Sequence, residues 1–145
     1  MSDSLMAVAF PAVMAVVLAM VVSQVTKAAA RGDLPRSGAV GIRTPATKSG
    51  DAAWTAGHTA AEPVTRRVTL GVSLLAFVII VLSFFFDGAW VTALGVVPFF
   101  VVVVSLVPVT LTANRAAREA EAAEAEKGKK GKAKGKAKQK KGKKR

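Results

Sequence analysis

Hydrophobic positions in this chain are gathered into three long runs, at about Leu5 to Thr26, Val68 to Phe86 and Trp90 to Leu111. Each is close to the ~20 apolar residues that cross a ~30 Å hydrocarbon layer at ~1.5 Å per residue. Inside lipid every backbone N–H and C=O must find a partner within its own span, a demand that overrides the poor aqueous helix propensity of the Val-rich and Phe-rich stretches. The pattern therefore predicts an all-α membrane protein with three transmembrane helices, over 5–26, 68–86 and 90–111. Only Asp87-Gly88-Ala89 separates the second run from the third, so these two form a helical hairpin. Pro98 and Pro108 predict bends in the third span, and Trp90 at its mouth suits the aromatic belt at the headgroups.

The polar stretches between and after the runs have patterns of their own. In the loop 27–67, Gly38 and Gly41 permit positive φ, and Pro45 holds Thr44 out of the α region. The segment through Thr47 thus reads as an ordered, non-helical strap. A short helix is predicted at about 50–62, with Ser49 as N-cap, Asp51 complementing the helix dipole and Pro63 as the stop. Trp54, His58 and Ala61 would share one face of it, beside a small-residue strip of Ala53, Gly57 and Ala60 suited to close helix approach. After the third run, 113–126 reads as an Ala/Glu-rich helical extension with an Arg115–Glu119 pair. Residues 127–145 are almost wholly Lys, Gly and Ala, too poor in apolar residues to offset ordering entropy, and predict a disordered basic tail.

Charge adds orientation. The chain carries a net +12 while 52% of its residues are hydrophobic, and both properties fit only because they are segregated. Lys27, Arg31, Arg36, Arg43, Lys48, Arg66 and Arg67 lie in the loop and more Lys follows in the tail, whereas the N-terminus and hairpin tip offer only Asp3 and Asp87. The positive-inside rule places the loop and C-terminus in the cytoplasm and the N-terminus outside. The opening Met1-Ser2-Asp3-Ser4 has an acid where a signal peptide wants a base, and the first run exceeds a signal's apolar core, so it reads as a retained span.

Chemistry is scarce. There is no Cys and only one His, His58, which excludes disulfides, thiolate sites and multi-histidine metal sites. No Ser-His-Asp set, glycine-rich phosphate loop or carboxylate pair is visible, so no catalytic residue, metal or cofactor is expected. The spans contain no charged residue, which argues against an ion relay. Arg43 is suited to a carboxylate or lipid phosphate, or to an internal tie to Asp51 or strap carbonyls. Trp54 suits packing between helices or the headgroup region, and His58 a packing or hydrogen-bonding role beside it, Glu62 at i+4 adding too few ligands for a metal. In the tail, Lys129, Lys130, Lys132, Lys134, Lys136, Lys140, Lys141, Lys143 and Lys144 would be drawn to anionic lipid or other polyanions. With no interleaved aromatics, sequence-specific nucleic-acid recognition is not expected.

Gly41-Ile42-Arg43-Thr44-Pro45, followed by Thr47, Trp54, His58 and Ala61, with Leu34-Pro35-Arg36 ahead, resembles the signature of the SdpI family, bacterial membrane proteins named for a toxin-immunity protein. The resemblance covers residues 34 to 61 and the flanking hydrophobic segments. It departs at Ser37, where the family often has Asn. It implies a multi-pass protein of the bacterial plasma membrane, in contact with the bilayer, whose Gly41, Arg43, Thr44, Pro45, Thr47, Trp54 and His58 form a binding or structural motif. The implied partner is a peptide toxin or another membrane protein. A homodimer would bring the span number to that of longer relatives. The contrasting expectation is a scaffold subunit whose basic tail holds lipid or nucleic acid.

Overall fold

In a computed structural model of the chain, residues 2–86 and 88–142 are described, with side chains over 5–86 and 88–132. All regular structure in them is helical: α1 (Ser2–Ala30), α2 (Asp51–Leu82), α3 (Ala89–Leu94) and α4 (Val97–Gly142). Three stretches, Leu5–Ala30, Asp51–Leu82 and Ala89–Lys132, are long and apolar enough to cross a membrane. α2 lies in the middle and packs along both α1 and α4, which touch each other less.

The seams follow a four-three spacing. α1 buries Val8, Ala12, Ala15, Ala19, Thr26 and Ala29, and α2 buries Trp54, His58, Ala61, Thr65, Val72, Ala76 and Ile79. Small residues dominate because without a hydrophobic drive between spans, close van der Waals approach holds helices together in lipid. Three clusters stack along the bundle. Val8, Ile79 and Val91 lie near the hairpin, Ala15, Ala19, Val72 and Val102 in the middle, and Ala61, Val109 and Ala113 at the loop end. The Thr69 hydroxyl ties the helices directly, donating to the carbonyl of Ala19 at 3.0 Å. Phe10, Leu74, Phe77, Phe100 and Val104 point outward and exposed, the arrangement expected of lipid-facing surfaces.

Several elements differ from expectation. No separate short helix ends at Pro63, because α2 runs unbroken from Asp51 to Leu82. Proline removes the N–H that would serve the carbonyl of Thr59. Both residues lie on the exposed side, so solvent can satisfy that group and the helix continues. At 32 residues α2 rises about 48 Å, well beyond a hydrocarbon layer of ~30 Å. Its first half, up to the exposed Arg66 and Arg67, therefore stands outside the hydrocarbon.

The cap also differs: Gly50, in extended conformation, is the N-cap and provides no side-chain bond. Ser49 instead donates to the carbonyl of Ala46 at 2.9 Å.

The third span is broken between Leu94 and Val97, where Gly95 meets α1 so closely that a Cβ would stand 2.9 Å from Val8 Cα. Pro98 consequently falls in the first turn of α4, where a missing N–H costs nothing, and only Pro108 is interior.

Beyond Lys127, in place of the expected coil, the helix continues to Gly142. Its Ala and Lys are good helix formers, and Glu126 just ahead pairs with Lys130 one turn on at 2.7 Å. This extension is nonetheless exposed throughout 121–132 and has no core of its own.

Candidate functional site

The loop between α1 and α2 begins where α1 is closed by Gly32 at φ +83. Gly32 N–H donates to Ala29 O and Asp33 N–H to Ala28 O, satisfying carbonyls the helix end would otherwise leave open. The chain then returns across the loop end of the bundle as a strap. Of the two strap glycines that permit positive φ, Gly41 adopts it, at +112. Gly38 does not, and closes a turn with Pro35 at 2.9 Å.

A staple of two aromatic residues fastens the strap to α2. Trp54 and His58 lie one turn apart, with ring centroids at 4.1 Å, and both are buried. The Trp54 indole N–H donates to Leu34 O at 3.0 Å. Ile42 N–H donates to His58 Nε2 at 2.9 Å, so Nε2 must present a lone pair. His58 Nδ1 sits 2.8 Å from Trp54 O and must carry the proton. The imidazole is thus a neutral Nδ1–H tautomer. Burial lowers its pKa below the ordinary imidazole value, against a smaller raising effect of the Trp54 carbonyl. With both nitrogens spent on backbone groups, His58 is not free to act as ligand or base.

A second staple is made of hydroxyls. Pro45 opens a turn in which Lys48 N–H reaches Thr44 O at 3.1 Å, a position for which its fixed φ is suited. Thr47, wholly buried, accepts from Thr44 N–H at 3.0 Å and donates to Ile42 O at 2.5 Å. The Thr44 hydroxyl accepts from Thr47 N–H at 3.2 Å and donates to Asn114 Oδ1 of α4. Beneath this network Gly57 lets α2 approach α4. A Cβ there would be 3.0 Å from both Ala113 O and Thr47 Cγ2. The small-residue strip expected on α2 therefore works at Gly57 and the buried Ala53.

The arginines divide two roles. Arg43 Nη1 donates to Arg36 O at 3.2 Å and to Gly38 O, so of the internal ties considered it makes the carbonyl one. The partner of Asp51 is Arg36, at 3.1 Å, which also reaches Lys48 O. The pair is too exposed to contribute much stability and acts as a positional clasp.

All seven motif residues thus come together: Gly41, Thr47, Trp54 and His58 form the inner fastening, while Arg43 and Pro45 stay exposed and Thr44 bridges to α4. Asn114 was not legible as a member; its signal is a lone amide at the end of the third apolar run. Glu62 does not join His58 and instead lines a separate groove with Arg66 and Arg67. Of the tail lysines, Lys129, Lys130 and Lys132 are exposed on α4. The side chains of Lys134, Lys136, Lys140 and Lys141, and the whole of Lys143 and Lys144, lie outside the described residues. Under the strap, a groove of about 430 Å³ runs between Val21, Val22 and Val25 of α1 and Leu106 and Thr110 of α4, ending at Val40–Thr44.

The model of the SdpI/YfhL protein family matches residues 33–109, more than half of the chain, taking in the strap, all of α2 and the start of α4. No curated protein and no solved structure matches the chain.

Proposed function

The chain belongs to the SdpI/YfhL protein family, and from that premise we propose that this multi-pass membrane protein is a non-enzymatic binding protein of the bacterial plasma membrane. It recognises a peptide toxin or another membrane protein through the strap, in an immunity or signalling role. In this reading the loop and C-terminus face the cytoplasm, an orientation supported by the concentration of Lys and Arg there.

One observation carries the reading. The buried residues Thr47, Trp54 and His58 spend their polar groups on strap backbone, which makes an irregular segment rigid without committing its outer face. Val40, Arg43 and Pro45 are exposed, the first two at the strap end of the groove. Pre-organising a loop in this way lowers the ordering cost of binding. Buried residues serve as the fastening, and the exposed ones make the contact.

The test is deletion of the gene followed by challenge with culture supernatants of neighbouring and sibling strains, with complementation by wild type, Val40→Asp and Arg43→Ala. Sensitivity rescued by wild type but not by the strap variants, all equally inserted, supports the reading. Full rescue by both variants overturns the strap as recognition surface. The exposed α4 extension with its lysines favours a second reading, a scaffold subunit holding anionic lipid or nucleic acid. That reading predicts instead that deleting 127–145 abolishes function while the strap variants retain it.

A further inference from the structure

The groove beneath the strap has an unequal construction. Its walls are the apolar Val21, Val25 and Leu106, and its strap end holds the charged Arg43. Val21 and Leu106 remain exposed at 54% and 40%, so the groove opens toward the lipid-facing surface. The hydroxyls of Thr26 and Thr44 at its margin are already donating, to Val22 O and Asn114 Oδ1.

Arg43 is held but not used up. Both hydrogens of Nη1 are taken by the carbonyls of Arg36 and Gly38, which fixes the guanidinium plane. Among the described residues Nε–H and Nη2 have no protein partner. Among the described residues no carboxylate pairs with Arg43, and Asp51 is taken by Arg36. A fixed guanidinium presenting its remaining donors is matched to phosphate oxygens. An apolar groove of membrane depth ending at such a group complements an amphiphile with an anionic head.

We propose that this groove binds an anionic phospholipid of the loop-side leaflet, with its phosphate on Arg43 and an acyl chain along Val21, Val25 and Leu106. The bilayer supplies that molecule at high local concentration. The apolar walls gain the dispersion contacts an unfilled groove lacks. The site shares Arg43 with the strap surface proposed above to meet a protein partner, but its apolar walls, Val21, Val25 and Leu106, belong to α1 and α4 and form no part of that surface.

The experiment is native mass spectrometry of the purified full chain in detergent with phosphatidylglycerol or phosphatidylcholine. Wild type is expected to retain phosphatidylglycerol about tenfold better, the scale of a charge-assisted hydrogen bond. Arg43→Gln should lose the preference, Arg43→Lys keep part of it, and Val25→Phe, which fills the groove, lose both lipids. Helix content and melting temperature check that each variant is folded. Deletion of 127–145 should leave the preference intact. Equal retention of both lipids by wild type, or a preference that survives Arg43→Gln and vanishes with the tail, overturns the proposal. So does unchanged lipid retention by Val25→Phe together with loss of protection in cells, which would assign the groove to a polypeptide. Because the readout is lipid on purified protein, failure here leaves the immunity reading standing, and failure of that reading leaves this one.

Discussion

Gly41 lies against the Trp54 indole so closely that a Cβ on it would stand 2.7 Å from Cη2. The same atom would come within 3.0 Å of His58 Nε2, the acceptor for Ile42 N–H. One hydrogen in place of a methyl therefore lets the strap touch both rings of the staple.

Gly41→Ala is expected to destabilise by about 2 kcal/mol or more, since it adds a clash in a packed site to a positive φ that L side chains rarely adopt. Gly71→Ala, where nothing lies within 4 Å of the new Cβ, should be neutral or slightly stabilising. Thermal unfolding in detergent of both variants checks the contrast.

Strap stability should depend on pH through His58, which lies in the part of α2 outside the hydrocarbon. Its folded pKa is lowered, chiefly by burial, so below the ordinary imidazole value of about 6.5 the unfolded strap binds the extra proton first. The neutral-imidazole contribution is fully present above that value. It is lost as pH falls below 6.5 and levels off beneath the folded pKa. Protonation would also set an N–H against Ile42 N–H. Limited proteolysis within 33–50 should be faster at pH 5.5 than at pH 7.5, and His58→Gln should flatten the difference. Equal rates in wild type would refute the role.

Thr44 and Asn114 join the strap to α4. A double-mutant cycle of Thr44→Val and Asn114→Ala should show a coupling of about 1 kcal/mol, because each single change leaves the other partner's polar group without its bond. Strictly additive effects would place the two residues in separate units.

Orientation can be read cleanly, because the chain has no cysteine. Ser49→Cys in the loop and Phe85→Cys near the hairpin, both at exposed positions, should behave oppositely in intact cells. A membrane-impermeant maleimide is expected to label Phe85→Cys and to reach Ser49→Cys only after lysis. The reverse pattern would invert the topology.

The amino-acid sequence by itself determined the three spans, because an unbroken run of apolar residues in lipid has no alternative to a helix. It also marked the residues of the strap and of its fastening on α2, since a glycine, a proline, an indole and an imidazole at those spacings carry local constraints visible in one dimension. Helix ends were less legible. Pro63 reads as a stop, but an exposed carbonyl at Thr59 can lose its donor to solvent without ending α2. Pro98 reads as an interior kink, but Gly95 against Val8 breaks the span just ahead of it. Only the tertiary structure decided which group meets which: that Asp51 takes Arg36 and leaves Arg43 to the strap carbonyls, that Thr44 finds Asn114, 70 residues away, and that Ile42 N–H fixes the tautomer of a buried His58. Those pairings depend on how α1, α2 and α4 bring distant segments within hydrogen-bond reach, and no local pattern encodes that distance.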